Sequence, residues 1–171
     1  MSYSLPQWNF QGDCVIISGG ARGIGAGLVT HFARAGASVV FGDVDTTGAE
    51  ELLNELAGLP VHFVEADFAE ADAWEKLRTR AEEASLSPNL VIANAGIGHR
   101  GRVEETPVEM FDCLLKINLR SAWLAARPFG ETLAKNRGSL LLIGSVMASF
   151  GMEGQTLYGS SKAALSGLLR N

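Results

Sequence analysis

Cys14-Val15-Ile16-Ile17-Ser18-Gly19-Gly20-Ala21-Arg22-Gly23-Ile24-Gly25 is the stretch whose reading decides the fold: an unbroken apolar run that gives way to a glycine-rich turn. The run is too short for a core helix and too uniformly apolar for a strand with one wet face. It predicts a strand covered on both sides. The residues after the turn alternate at helical spacing and predict a helix from about Ile24 to Ala35. Strand, glycine turn and helix in succession open a βαβ unit.

The same alternation recurs along the rest of the chain. Ser38 to Phe41 predicts a second strand ending at Asp43, with a helix following through Glu50, Leu53 and Leu56. Val61-His62-Phe63-Val64 predicts a third strand. A helix over Ala71 to Ala84 carries Trp74, Leu77 and Ala81 on one face. Asn89 to Ala93 predicts a fourth strand. Thr106 reads as an N-cap with Pro107 at the first helical position. That helical region extends to about Lys135, with a kink expected near Pro128. Ser139 to Ile143 predicts a fifth strand, and a last helix starts near Tyr158. No repeat, linker or low-complexity segment interrupts the series. Right-handed crossovers then make one doubly wound, Rossmann-like α/β domain over residues 1–171 the expected architecture.

Composition narrows the function. The 171 residues are 47% hydrophobic with 20 glycines, as a compact α/β domain requires. A formal charge of -5 and the lack of a basic cluster argue against a nucleic-acid or anionic-membrane surface. No apolar run reaches the roughly 18 residues of a membrane span. MSYSLPQWNF lacks the basic-then-apolar order of a signal peptide, so a cytoplasmic location is expected. Cys14 and Cys113 have no metal-ligand spacing and are expected to be buried thiols.

The turn spells G-x-x-x-G-x-G through Gly19, Gly23 and Gly25. Glycine lets the backbone approach a pyrophosphate over a helix N-terminus, but a tight structural turn uses the same residues. No Lys-Ser/Thr pair follows, which argues against a nucleotide hydrolase. Asp43 adds a second signal, since an acid ending the second strand can reach the hydroxyls of an adenine ribose. The plain alternative is a solvated turn acid, because Asp45 stands just beyond it. The carboxylate of Asp43 would repel the extra phosphate of NADP, while Arg22 could attract it. The direct contact of Asp43 favours NAD.

Tyr158-Gly159-Ser160-Ser161-Lys162 places a phenol and an ammonium one helical turn apart on one face. An isolated phenol ionises only near about pH 10, and a neighbouring ammonium stabilises the phenolate and makes it a usable proton acceptor. A chance helix pair is the bland alternative; the only other tyrosine, Tyr3, has Gln7 at that offset. Ser145, at the end of the fifth strand, could bind a substrate oxygen or simply cap the strand end.

Taken together, Gly19, Gly23, Gly25, Asp67, Asn94-Ala95-Gly96, Asn118, Ser145 and Tyr158-x-x-x-Lys162 resemble the short-chain dehydrogenase/reductase family in order and approximate spacing, from about Asp13 onward. The resemblance implies that Tyr158 is the general acid/base and that Ser145 orients the substrate. It implies that Lys162 holds the nicotinamide ribose and assists the tyrosine, with Asn118 holding a water in a proton relay. Ser18, Gly19, Arg22, Gly23, Ile24, Gly25, Asp43, Asp67, Asn94, Ala95 and Gly96, with Tyr158 and Lys162, would line the cofactor groove. Ala93 stands where many members have a second asparagine. Apart from the helical members, these residues fall at the C-terminal ends of predicted strands, where open α/β sheets bind ligands.

Other residues carry weaker signals. His31, His62 and His99 lack metal spacing. Trp123 follows Leu115 and Leu119 at helical spacing, as a core or subunit-interface stripe would. Met147, Phe150 and Met152 could form an apolar wall of a substrate pocket, and Arg100 and Arg102 could meet an acidic substrate. Members of the family continue beyond the equivalent of Asn171, so the chain reads as C-terminally truncated, with Leu140-Leu141-Leu142-Ile143 at a sheet edge. The expected activity is hydride transfer between NAD(H) and a small secondary alcohol or ketone, in a homo-oligomer. The rival readings are a nucleotide-binding fragment that does not turn over and a scaffold that oligomerises through the Leu119–Phe129 helix and the last helix.

Overall fold

The computed structural model describes residues 8–170, so Tyr3, Gln7 and most of the N-terminal segment read above for a leader pattern lie outside the described residues. Among the described residues, five parallel strands form one sheet in the order β3-β2-β1-β4-β5. They are β1 (Cys14–Ser18), β2 (Ser38–Asp43), β3 (Val61–Glu65), β4 (Leu90–Ala93) and β5 (Ser139–Leu142). The central register aligns Ile16 with Val40 on one side and with Val91 on the other.

Every residue of β1 is buried, as a central strand covered on both faces must be. Side chains alternate between two cores. Val15 and Ile17, with Val39, Phe41 and Ile92, pack beneath α1 (Gly23–Arg34) and α2 (Thr46–Glu55). Cys14 and Ile16, with Val40 and Val91, face α3 (Ala73–Glu83), α6 (Ala126–Asn136) and α7 (Thr156–Arg170). Trp74 centres this second core: its indole N–H donates to the Ser121 carbonyl at 2.8 Å, and its ring meets Phe68 and Phe129 edge-on. Burying each large apolar side chain contributes about 1.5–3 kcal/mol, so the two layers hold the strand ends in a fixed line.

The chain winds from β1 outward to β3, then returns to the other side of β1 to form β4 and β5. The reversal lies between β1 and β4, and the crevice at their C-terminal ends is where such sheets receive ligands. β3 and β5 are the edge strands, and on β5 Leu141 is exposed. No helix among the described residues is long and apolar enough to cross a membrane.

Several expectations need correction. Pro107, not Thr106, occupies the N-cap position, and α4 runs Val108–Leu115. The Thr106 hydroxyl is spent backward, donating to the Arg102 carbonyl at 2.8 Å around the 3-10 turn Val103–Glu105. The expected kink near Pro128 falls upstream: a π-helical stretch, Lys116–Arg120, follows α4, and α5 (Ser121–Leu124) ends at Ala125. Pro128 sits in the first turn of α6, where its missing N–H leaves the Leu124 carbonyl without a helical donor and ends α5 there. The last helix begins at Thr156, two residues before Tyr158 and so near its expected start. Cys113 is exposed rather than buried, because α4 buries only Leu114. Trp123 is 53% exposed, so it is no part of this chain's own core.

Candidate active site

The glycine turn hangs from the end of β2, with the Gly19 and Gly20 N–H groups both donating to the Gly42 carbonyl, at 2.8 and 3.2 Å. It is also tied to β4. The buried Ser18 hydroxyl oxygen accepts from the N–H groups of Asn94 and Ala95, each at 3.0 Å. The Asn94 carboxamide in turn donates to the carbonyls of Ser18 and Gly19 at 3.0 and 2.8 Å. Ser18 and Asn94 therefore fix the crevice between β1 and β4 rather than furnish its chemistry. Gly25 is needed for close approach: a Cβ there would lie 1.8 Å from the Gly19 carbonyl oxygen. Helix α1 starts with Arg22 at its N-cap and no side-chain cap, and no acid sits in its first turn. A helix start of this kind favours an anion.

Asp43 ends β2 beside that turn. One carboxylate oxygen accepts from the Ala21 N–H at 2.9 Å and the other from the Asp45 N–H at 3.1 Å. These bonds fix the carboxylate at the rim of the crevice while leaving lone pairs for a ligand's hydroxyls. Asp45 is the N-cap of α2, accepting from Gly48 N–H at 3.1 Å, and it also forms an ion pair with Arg22. Arg22 holds the Asp45 carboxyl below the ordinary carboxylate range, first through their hydrogen bond. Asp67, exposed, accepts from the Ala69 N–H at 2.8 Å.

On the opposite wall, Asn118 lies in the π-helical stretch and is 1% exposed. Its carboxamide accepts from the Ile97 N–H at 2.8 Å and donates to the Ile97 carbonyl at 3.0 Å and to Ser161 Oγ at 3.1 Å. Ser161 is completely buried and donates to the Tyr158 carbonyl at 2.7 Å. Tyr158 is half-buried, and Lys162, one turn on, is 5% exposed. The Lys162 ammonium donates to the Ile143 carbonyl at 2.8 Å, and burial lowers its pKa from the ordinary lysine value. A cation with so little water around it acts strongly on groups beside it. Ser145 is half-buried and accepts from the Met147 N–H at 3.2 Å, capping the 3-10 turn Val146–Ala148.

These elements enclose a cleft of about 480 Å³. Of the residues singled out from sequence, Gly19, Arg22, Ile24, Gly25, Asp43, Asp67, Asn94, Ala95, Gly96, Tyr158 and Lys162 line it. Ser18, Gly23, Asn118 and Ser145 do not: the first and third are buried behind the wall, and Gly144 rather than Ser145 reaches the cleft. Sequence reasoning missed the apolar lining from Val44, Phe68, Ile97, Ile117 and Ile143, and the buried link through Ser161. The first five looked like ordinary strand ends and helix residues. Ser161, inside the Tyr-to-Lys spacing, was the one with a signal within reach.

Among the minor candidates, His99 is half-buried beside the Thr106 hydroxyl at 3.0 Å, and Arg102 pairs with Glu104. His62 faces Arg80. No group of three or more metal-ligating side chains gathers among the described residues.

The family model for short chain dehydrogenases matches residues 13–171. A probable oxidoreductase of Mycobacterium tuberculosis is 32% identical over 93% of this chain, which spans 28% of that protein. A 3-beta-hydroxysteroid dehydrogenase of Comamonas testosteroni is 31% identical over 94% of this chain, which spans 63% of it. Among solved structures, an alcohol dehydrogenase of the archaeon Thermococcus sibiricus, complexed with 5-hydroxy-NADP, superposes with a TM-score of 0.87 at 27% identity, covering 92% of this chain and 68% of that one.

Proposed function

The chain belongs to the short-chain dehydrogenase family, whose members are oxidoreductases using nicotinamide cofactors, and on that premise we propose that it transfers hydride between NAD(H) and a secondary alcohol or ketone. The observation that carries this reading is that Tyr158 and Lys162 line the same cleft as the glycine turn and Asp43. A nucleotide fits the cleft's construction: a helix start without its own cap, a backbone approach that a Cβ at Gly25 would close, and an acid held at the rim. The bound nicotinamide supplies the site that accepts or gives up the hydride.

The remaining chemistry falls to the chain's own residues. The Tyr158 phenolate takes the proton from the substrate alcohol, and in the reverse direction the phenol gives it to the carbonyl oxygen, as charge develops there. Lys162, desolvated and held by the Ile143 carbonyl, favours the phenolate and retains N–H donors for the ribose hydroxyls. Asn118 acts through the backbone of Ile97 and through Ser161 and so positions the helix that carries Tyr158. Ser145, whose hydroxyl oxygen accepts from the Met147 N–H, keeps its own O–H as the donor that orients the substrate oxygen. Asp43 binds the adenosine ribose hydroxyls, which favours NAD over NADP, and Asp67 meets the adenine. Self-association belongs to the same reading: exposed Trp123 with Leu119 and Leu168 borders a groove of about 650 Å³ joining the two helices expected at an interface.

Tyr158→Phe tests the assignment. The variant is expected to bind NADH as the parent does and to lose turnover by about a thousandfold. Turnover at the parent rate would remove the tyrosine mechanism, and failure of the parent to bind NADH would remove the cofactor site.

A further inference from the structure

We infer that Asp45 sets the cofactor preference of this chain by holding Arg22 in an ion pair, which withholds from the cleft the cation that would otherwise receive a 2′-phosphate. The inference rests on the nicotinamide reading of the cleft and deepens it. Among the described residues that line the cleft, only Arg22 and Lys162 are cationic. Lys162 is bound to the Ile143 carbonyl just beyond β5, whereas Arg22 stands by the turn whose Ala21 N–H binds Asp43. Arg22 is thus the one cation beside the acid that would meet the adenosine ribose.

Arg22 is not free to serve there. Its Nε donates to the Asp45 carboxylate, and that hydrogen bond is the leading reason its pKa is raised. Asp45 is anchored independently of Arg22. Its Oδ1 accepts from the Gly48 N–H at 3.1 Å as the cap of α2, and its own N–H donates to Asp43. Gly48 makes room for this seat, since a Cβ there would lie 2.4 Å from Asp45 Oδ2. The carboxylate therefore holds a fixed position and draws the flexible arginine to it.

An exposed ion pair of this sort contributes little to folding. Its effect on recognition is larger, because the guanidinium that would meet a phosphate there is already engaged by the Asp45 carboxylate, with the Asp43 carboxylate beside it. A phosphate monoester, carrying roughly -1.5 to -2 at neutral pH, is disfavoured there. Released from Asp45, the guanidinium could instead make charge-assisted hydrogen bonds to phosphate oxygens.

The test is a titration of NADH and NADPH by nicotinamide fluorescence in the parent, Asp45→Asn, Arg22→Ala and the double variant. Asparagine caps helices as well as aspartate does, so α2 keeps its start. Asp45→Asn is expected to tighten NADPH binding about tenfold relative to NADH when Arg22 is present, and to bring no gain between Arg22→Ala and the double variant. A gain of the same size between Arg22→Ala and the double variant would mean a general charge effect, and no gain in Asp45→Asn would mean that Asp45 plays no part; either overturns the inference while NADH binding by the parent keeps the cofactor reading. Binding of neither nucleotide by the parent removes both.

Discussion

The Asn118 carboxamide and the backbone of Ile97 form a reciprocal pair, Oδ1 accepting from the Ile97 N–H at 2.8 Å and Nδ2 donating to its carbonyl at 3.0 Å. The pair joins the helical wall to the loop after β4. It mimics the pairing of one strand edge with another, with Asn118 itself buried and Ile97 half-buried at the cleft wall.

Asn118→Leu is of similar size but leaves both Ile97 groups and the Ser161 hydroxyl without these partners. Each buried polar group left unsatisfied costs about 1–3 kcal/mol, so a loss of about 3 kcal/mol is expected. Urea unfolding of the variant beside the parent measures it. An unchanged midpoint would show that the pair does not hold the loop.

Gly25→Ala places a methyl group 1.8 Å from the Gly19 carbonyl oxygen, where only backbone movement can relieve the clash. Overpacking of this kind costs about 1–3 kcal/mol. Such movement displaces the turn from its place against Gly19 and Asn94, so NADH affinity should fall with stability. A variant with parental melting temperature and parental NADH affinity would contradict the close approach.

His62 couples stability to acidity. Its Nδ1 lies 2.8 Å from an Arg80 guanidinium nitrogen, and since that group only donates, the imidazole accepts and is neutral. Burial first, and then the Arg80 charge, lower its pKa from the ordinary value of 6.5. Between the lowered folded value and 6.5 the unfolded chain binds more protons. Stability therefore rises with pH across that window, levels off above it, and is lowest below the folded value. Urea midpoints measured across the window should climb with pH in the parent, and His62→Gln should flatten this part of the profile.

The two thiols should react in opposite ways. Burial pushes the Cys14 thiol up to about 12, whereas Cys113 is exposed on α4. Iodoacetamide at neutral pH is expected to label Cys113 in the folded chain and Cys14 only after denaturation, with mass spectrometry counting the adducts. Rapid native labelling of Cys14 would mean that β1 opens.

The sheet could be read in advance because its evidence is local. Five short apolar runs with helix-period stretches between them admit few arrangements, and β1 through β5 appear within a residue or two of their expected bounds. The helical region from Val108 to Asn136 was less legible: its apolar period continues across the π-helical stretch and across Ala125, so the breaks leave little trace in the pattern. Thr106 misled because a hydroxyl before a proline suits an N-cap, while the 3-10 turn behind it offered a carbonyl acceptor.

By itself, the sequence determined the doubly wound class and the set of side chains gathered along one edge of the sheet, since strand period, glycine spacing and a tyrosine and lysine one turn apart are properties of neighbouring residues. Only the tertiary structure decided which polar group meets which: Asn118 with Ile97, Ser18 with Asn94, Lys162 with the Ile143 carbonyl, Arg22 with Asp45 at the cleft rim. Those partners lie some twenty to eighty residues apart along the chain. A hydrogen bond needs placement within a few tenths of an ångström, and only the packing of the two cores against the sheet supplies that.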